Sequence, residues 1–232
     1  MLDKSEIVDY FAASIDRGTR YDDPYLLYTF RPFSEELYAA ILANLPHDDA
    51  YMELKHGDAK RADGSFARLV FPLKEERIRK MLTGERREFW LEFSNILRDA
   101  ELRDLFKRAF ESELLKRFGV PLAEIPALPV PMLIRDFFQY KINIHHDIDT
   151  KVMTTQYYLP SDDTQRHLGT NIYRRTDGGK FELVRKLEFM PRNAYCFAVS
   201  KYSWHSVDAM SGQEKPRNSL MLIYFTRPGI DY

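Results

Sequence analysis

Met132-Leu133-Ile134-Arg135-Asp136-Phe137-Phe138-Gln139-Tyr140 opens the part of the chain that decides the fold. It reads as a strand, and five further runs of the same kind come after it between turn residues: Val152 to Leu159, Leu168 to Tyr173, Phe181 to Phe189, Ala194 to Val199 and Arg217 to Thr226. Short strands at even spacing predict a sandwich or barrel. Upstream the texture is helical. Lys4 to Ile15 is amphipathic, and Pro24 to Phe30 is a strand candidate. Ser34 before Glu35 and Glu36 starts a helix that should stop near Asn44, ahead of Pro46. From Glu85 to Phe118 apolar residues recur at helical spacing, with a break expected at Asp99-Ala100-Glu101 and an end at Gly119 and Pro121. The expected architecture is α+β, a jelly-roll core (about 130–228) supported by N-terminal helices (about 1–125), in a single domain spanning 1–232.

Composition narrows the function classes. Of 232 residues 44% are hydrophobic and 14% aromatic, enough for a real core. Lys and Arg number 34 against 35 Asp and Glu, so nothing supports nucleic-acid binding, which needs a clustered basic excess. The single cysteine, Cys196, sits in the apolar run Tyr195 to Val199 and reads as a buried thiol. The first residues, Met1 to Glu6, are charged rather than signal-like, and no run is long enough to cross a bilayer. A soluble protein of the reducing cytoplasm, with no membrane partner, is the expectation.

The chemistry centres on Tyr140-Lys141-Ile142-Asn143-Ile144-His145-His146-Asp147-Ile148-Asp149-Thr150-Lys151. In an extended backbone residues two apart point the same way, so His145 and Asp147 can aim an imidazole and a carboxylate at one point while His146 faces away. His205, in Ser203-Trp204-His205-Ser206-Val207, would complete two histidines and one carboxylate. That set leaves open coordination positions and suits non-haem iron(II). A His-x-Asp pair alone is commonplace; the residues beyond His205 give it weight. Twelve residues later Arg217-Asn218-Ser219 opens the apolar run Leu220 to Phe225. Arg217 and Ser219 share a strand face, and an inward arginine is expensive unless it meets an anion. A guanidinium fork beside a hydroxyl matches one carboxylate. The bland alternative puts Arg217 just outside the strand, facing solvent.

The stretch from His145 to Phe225 resembles the 2-oxoglutarate/iron(II) oxygenase superfamily, especially its prolyl-4-hydroxylase-like branch. The matching elements are His145-x-Asp147, Lys151-Val152-Met153-Thr154 leading to Tyr157-Tyr158-Leu159-Pro160, Trp204-His205-Ser206-Val207, and Pro216-Arg217-Asn218-Ser219. The resemblance implies a double-stranded β-helix core, iron(II) on His145, Asp147 and His205, and the distal carboxylate of 2-oxoglutarate on Arg217 and Ser219. It implies dioxygen as co-reactant, ascorbate as an admissible reductant, and hydroxylation of an unactivated C–H bond in a small molecule or amino-acid residue, with succinate and carbon dioxide as co-products. Tyr158 is a further candidate for that carboxylate and Tyr140 for the pocket wall; each is as readily a packing aromatic. The branch often carries a glycine pair where this chain has His167-Leu168-Gly169-Thr170-Asn171-Ile172-Tyr173, so substrate identity does not carry over. Two rival classes stay open: a cupin-like metal enzyme with no use for 2-oxoglutarate, and a non-catalytic jelly-roll binding module.

Two further expectations concern partners and energetics. Tyr51 to Pro72 is long and polar for a connector. It reads either as a solvated excursion or as a lid carrying Lys55, Lys60, Arg61 and Arg68, with Gly57 and Gly64 as hinges. Arg135, Arg174 and Arg175 would then face it across the pocket, suiting an anionic small-molecule or peptidyl substrate. Replacing Arg217 should raise the 2-oxoglutarate requirement far more than it disturbs folding.

Overall fold

A computed structural model describes residues 2–54, 60–61, 63–209 and 212–228. Six α-helices precede most of the strands: α1 (Lys4–Asp16), α2 (Glu35–Ala43), α3 (Glu75–Met81), α4 (Gly84–Leu97), α5 (Ala100–Ala109) and α6 (Glu111–Phe118). Their starts have local causes. Asp3 accepts the Glu6 N–H, Ser34 the Leu37 N–H and Asp99 the Glu101 N–H, each satisfying an amide that the helix itself leaves open. The predicted break at Asp99 is present. A second break lies at Phe110, a fully buried ring that joins α5 to α6. Gly119 closes α6 at φ 67°, a left-handed turn that glycine takes without steric penalty.

The strands form two antiparallel sheets. The major sheet has the order β1 (Thr19–Tyr21), β2 (Leu27–Phe30), β10 (Ala194–Ala198), β7 (Lys151–Tyr158), β12 (Arg217–Phe225), β5 (Leu128–Asp136), β4 (Arg68–Pro72) and β3 (Met52–Glu53). The minor sheet runs β6 (Ile142–His145), β11 (Trp204–Val207), β8 (Asn171–Arg175) and β9 (Phe181–Lys186). The helices cover one face of the major sheet, where Phe11, Phe33, Trp90, Phe93, Phe106, Tyr157 and Tyr224 make a continuous core. A second cluster, including Tyr25, Tyr140, Tyr158, Ile172, Phe189, Tyr195, Phe197 and Val207, fills the space between the two sheets. Burying this much apolar surface is the main term holding the layers together. The helical layer also braces the loop after β6. Arg117 of α6 donates to the carbonyls of Asp149 and Lys151 at 2.6 and 2.8 Å, and to that of Val199 at 2.6 Å.

Some expectations are corrected. The segment Tyr51 to Pro72 is not simply irregular: its two ends are β3 and β4, paired at the edge of the major sheet. Lys55 and Gly57, part of the lid reading, lie outside the described residues. Helix α3, β1, β6 and β11 were not expected as separate elements, because short segments gain their order from neighbours rather than from periodicity. Cys196 is fully buried, as expected, and burial pushes its thiol pKa well up. Among the described residues no helix is long and apolar enough to cross a membrane.

Candidate metal centre

β6 and β11 lie side by side with His145 directly opposite His205, and their rings approach to 4.3 Å between centroids. Asp147 comes two residues after His145, with its carboxylate turned to the same point. Ligand atoms of His145, Asp147 and His205 all lie within 4.8 Å of one another, and these three are the group among the described residues able to hold a metal ion. His146 is on the other side of the backbone, edge-on to Trp204 at 4.6 Å, as strand alternation requires.

The histidines are oriented by their own strands. His145 Nδ1 lies 2.9 Å from the Asn143 carbonyl and His205 Nδ1 2.9 Å from the Ser203 carbonyl. A carbonyl can only accept, so the network assigns the proton to Nδ1 and leaves the Nε2 lone pair of each ring open to an ion. Burial pushes the His205 pKa down to about 4, and nearby His145 adds to this, against the opposing pull of Asp147. The imidazole is therefore neutral near pH 7, the form that ligates. Burial opposes ionisation of Asp147, but the Lys151 ammonium, His205 and Thr154 outweigh it and hold the carboxyl well below the usual range. Lys151 Nζ donates to Asp147 Oδ1 at 2.5 Å and Thr154 Oγ1 to Oδ2 at 2.8 Å, so the ligand carboxylate is fixed from β7.

Further along β7 and β12 the inner face becomes polar. Arg217 and Asp136 are both 0% exposed, and Arg217 Nη1 donates to Asp136 at 2.9 Å while Nε donates to the Leu168 carbonyl at 2.7 Å. Asp136 is also gripped by Arg68, through Nε at 2.6 Å and Nη2 at 2.9 Å. Arg68 in turn lies over the Tyr140 ring at 4.0 Å, and Arg217 over Tyr158 at 5.3 Å and Phe189 at 5.2 Å. Two guanidinium groups against one carboxylate leave one positive charge in a dry interior. Arg217 Nη2 is buried without a hydrogen-bond partner. Beside it Ser219 Oγ accepts from Gln156 Nε2 at 2.9 Å, which leaves the serine hydroxyl proton to donate. Gln156 Oε1 accepts from the Tyr195 hydroxyl, which meets Thr170, and Thr170 accepts from the Tyr158 hydroxyl at 2.9 Å.

Gly169 makes this arrangement possible. A Cβ there would lie 1.4 Å from the Leu187 carbonyl oxygen, so only glycine lets the chain pass and deliver the Leu168 carbonyl to Arg217 and Thr170 to Tyr158.

The sequence reading thus brings together His145, Asp147 and His205, and separately Arg217, Ser219, Tyr158 and Tyr140 on the inner face. It missed Asp136, and it assigned Arg68 to the lid, whereas Arg68 begins β4 and pairs with Asp136. The parity of Met132, Ile134 and Asp136 could have flagged a carboxylate ending an inward-facing row. Three arginines expected around the pocket are elsewhere. Arg135 is on the opposite face of β5, bonded to Asn218 at 2.9 Å and to Asp48. Arg174 pairs with Asp23 and Glu182, and Arg175 lies over the ring of Trp204 on the outer face of the minor sheet. The expectation that replacing Arg217 raises the 2-oxoglutarate requirement far more than it disturbs folding meets a buried ion pair, since its loss would strip one of two partners from Asp136.

No protein-family model matches the chain, and neither does any curated protein sequence. Solved structures do. A prolyl-4-hydroxylase from Pseudomonas putida superposes with TM-score 0.53 at 13% identity, over 97% of this chain and 99% of that one. A 2OG-Fe(II) oxygenase family oxidoreductase from Burkholderia pseudomallei gives 0.52 at 14% identity, over 96% and 91%. A prolyl hydroxylase from Trichoplax adhaerens, in complex with a hypoxia inducible factor oxygen degradation domain peptide fragment, gives 0.50 at 12%, over 96% and 90%. Two sheets enclosing an aromatic core, with helices behind the larger one, are therefore a double-stranded β-helix fold similar to that of these hydroxylase and oxygenase structures.

Proposed function

We propose that the chain is an iron(II)- and 2-oxoglutarate-dependent dioxygenase that oxidises an unactivated C–H bond, with succinate and carbon dioxide as co-products. The observation that carries this reading is the convergence of His145, Asp147 and His205, each already fixed by a neighbouring carbonyl, ammonium or hydroxyl. Two imidazoles and a carboxylate suit iron(II) and leave positions for cosubstrate and dioxygen. When bound, iron(II) with 2-oxoglutarate and dioxygen supplies the oxidising equivalent for C–H cleavage.

The chain's own residues bind, orient and exclude water. Thr154 and Lys151 hold Asp147 ionised and fixed in position. From Thr154 to Tyr158 is four residues of β7, or about 13 Å of backbone, so the metal end and the arginine end lie along one strand face. There the unpartnered Arg217 Nη2 and the Ser219 hydroxyl are donors for a carboxylate, and the one surplus positive charge is what a single buried carboxylate offsets. Tyr158, Phe189 and Tyr195 wall that end and keep it dry. The substrate is a small molecule or a peptide residue.

One observation favours a metal enzyme without 2-oxoglutarate: Asp136 already pairs Arg217, so an exogenous anion is not required to neutralise it. The orphaned Nη2 weighs the other way. Calorimetric titration of 2-oxoglutarate into the metal-loaded protein separates the two. The proposal expects binding that Ser219→Ala weakens by roughly ten- to a hundredfold, the worth of a hydrogen bond to a charged group. No binding, or binding indifferent to Ser219, would leave the metal enzyme of the second reading.

A further inference from the structure

A cleft of about 640 Å³ opens between the sheets on the β1 and β9 side, away from the histidines. Its walls come from four separate places: the end of α1 (Ser14, Arg17), β1 and β2 (Tyr21, Thr29, and Arg31 just beyond), β9 (Arg185), and the turn before β10 (Arg192, Asn193). Tyr158 and Tyr195 line it at its inner end.

Its charge is one-sided. Arg17, Arg31, Arg185, Lys186 and Arg192 line it against one acid, Glu188. Three of these groups are satisfied elsewhere: Arg192 by Glu35, the Phe33 carbonyl and Tyr10, Lys186 by Asp208, and Glu188 by Arg166. Arg17, Arg31 and Arg185 have no carboxylate partner among the described residues. Arg31 spends only its Nε, on Asn193 at 3.2 Å, and Arg185 lies flat on the Tyr21 ring at 3.6 Å, which leaves its N–H edge outward. The carboxyl end of α1 also faces the cleft, but its dipole is worth about half a negative charge against three arginines. The excess stands, in a space of the size that holds small organic ligands, roughly 300–1,000 Å³.

We propose that this cleft is a second ligand site, distinct from the metal centre, for a small organic molecule carrying two or more phosphate or carboxylate groups. Guanidinium edges on separate elements favour spaced anionic groups over a single ion. The site stands whether or not the metal centre performs the reaction proposed above.

The test is calorimetric titration of the metal-loaded protein with fructose bisphosphate, with orthophosphate as the control bearing one anionic group and fructose as the neutral control. The wild type should bind the bisphosphate more tightly than orthophosphate and should ignore fructose. The double variant Arg31→Gln/Arg185→Gln, with its fold checked by circular dichroism, should lose roughly tenfold or more in affinity, as expected for removed charge-assisted pairs. Ser219→Ala, which removes a donor from the inner face without unpairing a charge, should leave this binding unchanged. No binding by the wild type, equal binding by the double variant, or loss on Ser219→Ala would overturn the proposal, the last by locating the anion on the inner face of β12.

Discussion

The two ends of the inner face are built on opposite plans. At the metal end three side chains converge: each imidazole is held from behind with Nε2 left for an ion, and Asp147 is fixed at both oxygens by Lys151 and Thr154. At the arginine end the charged groups are turned on each other: Asp136 is gripped by Arg68 and Arg217, and a single guanidinium nitrogen is left over. A histidine missing from the first end leaves neighbouring groups largely intact, whereas Asp147 also pairs Lys151. Loss of Asp136 from the second leaves two guanidinium groups without a carboxylate. Histidine substitutions at the metal end should therefore remove function while sparing the fold, and replacement of Asp136 should damage both.

The largest effect expected is on metal binding. Replacing His145, Asp147 or His205 by Ala should abolish iron(II) binding, measured by metal analysis after desalting, whereas His146→Ala should retain it because that ring packs on Trp204. Iron retained by His205→Ala, or lost by His146→Ala, would break the assignment. Next, Asp136→Asn should destabilise the protein by about 3–5 kcal/mol in urea unfolding, the penalty for breaking a buried ion pair. A loss under about 1 kcal/mol, the range of surface pairs, would mean that the pair is not the strut described.

Gly169→Ala should cost about 1–3 kcal/mol or more through overpacking, since the added carbon meets the Leu187 carbonyl. Tyr158→Phe is the mildest, about 1 kcal/mol, because only the hydroxyl bonded to Thr170 is lost. A pH series sharpens the comparison further. The folded His205 titrates near 4 rather than near 6.5, so between those values the unfolded chain binds more protons. The metal-free protein should lose stability as pH falls from about 6.5 toward 4. Asp147, held low, extends the loss below the ordinary carboxylate range. Thermal melts of His205→Gln should show a shallower decline over the upper part of that window, and an identical slope would show that His205 is not the group responsible.

The same contrast explains what could be seen in the chain. His145 and Asp147 are two residues apart on an extended segment, so strand parity alone brings them to one side, and Arg217 and Ser219 repeat that relation on β12. The strands of the second half, the amphipathic run of α1 and the capped start of α2 were legible because their signals are local. Asp136 and Arg68 were not. Their pairing depends on β4 and β5 lying adjacent with Arg68 opposite Asp136, a register that no local pattern encodes. Arg135 misled for a related reason: it neighbours Asp136 in sequence but points to the opposite face, against Tyr51 and Asp48. Gly169 was visible as a departure from the resembling branch, yet its role requires knowing that the chain just beyond β9 passes against it.

Both ends meet in one reaction, and succinate release from 2-oxoglutarate under air tests it most directly. With iron(II) present and no other substrate, the wild type should form succinate slowly but measurably, since uncoupled turnover needs only metal, cosubstrate and dioxygen. His205→Ala should form none above the protein-free rate. Succinate formed equally by His205→Ala, or formed by the wild type without iron, would contradict the account.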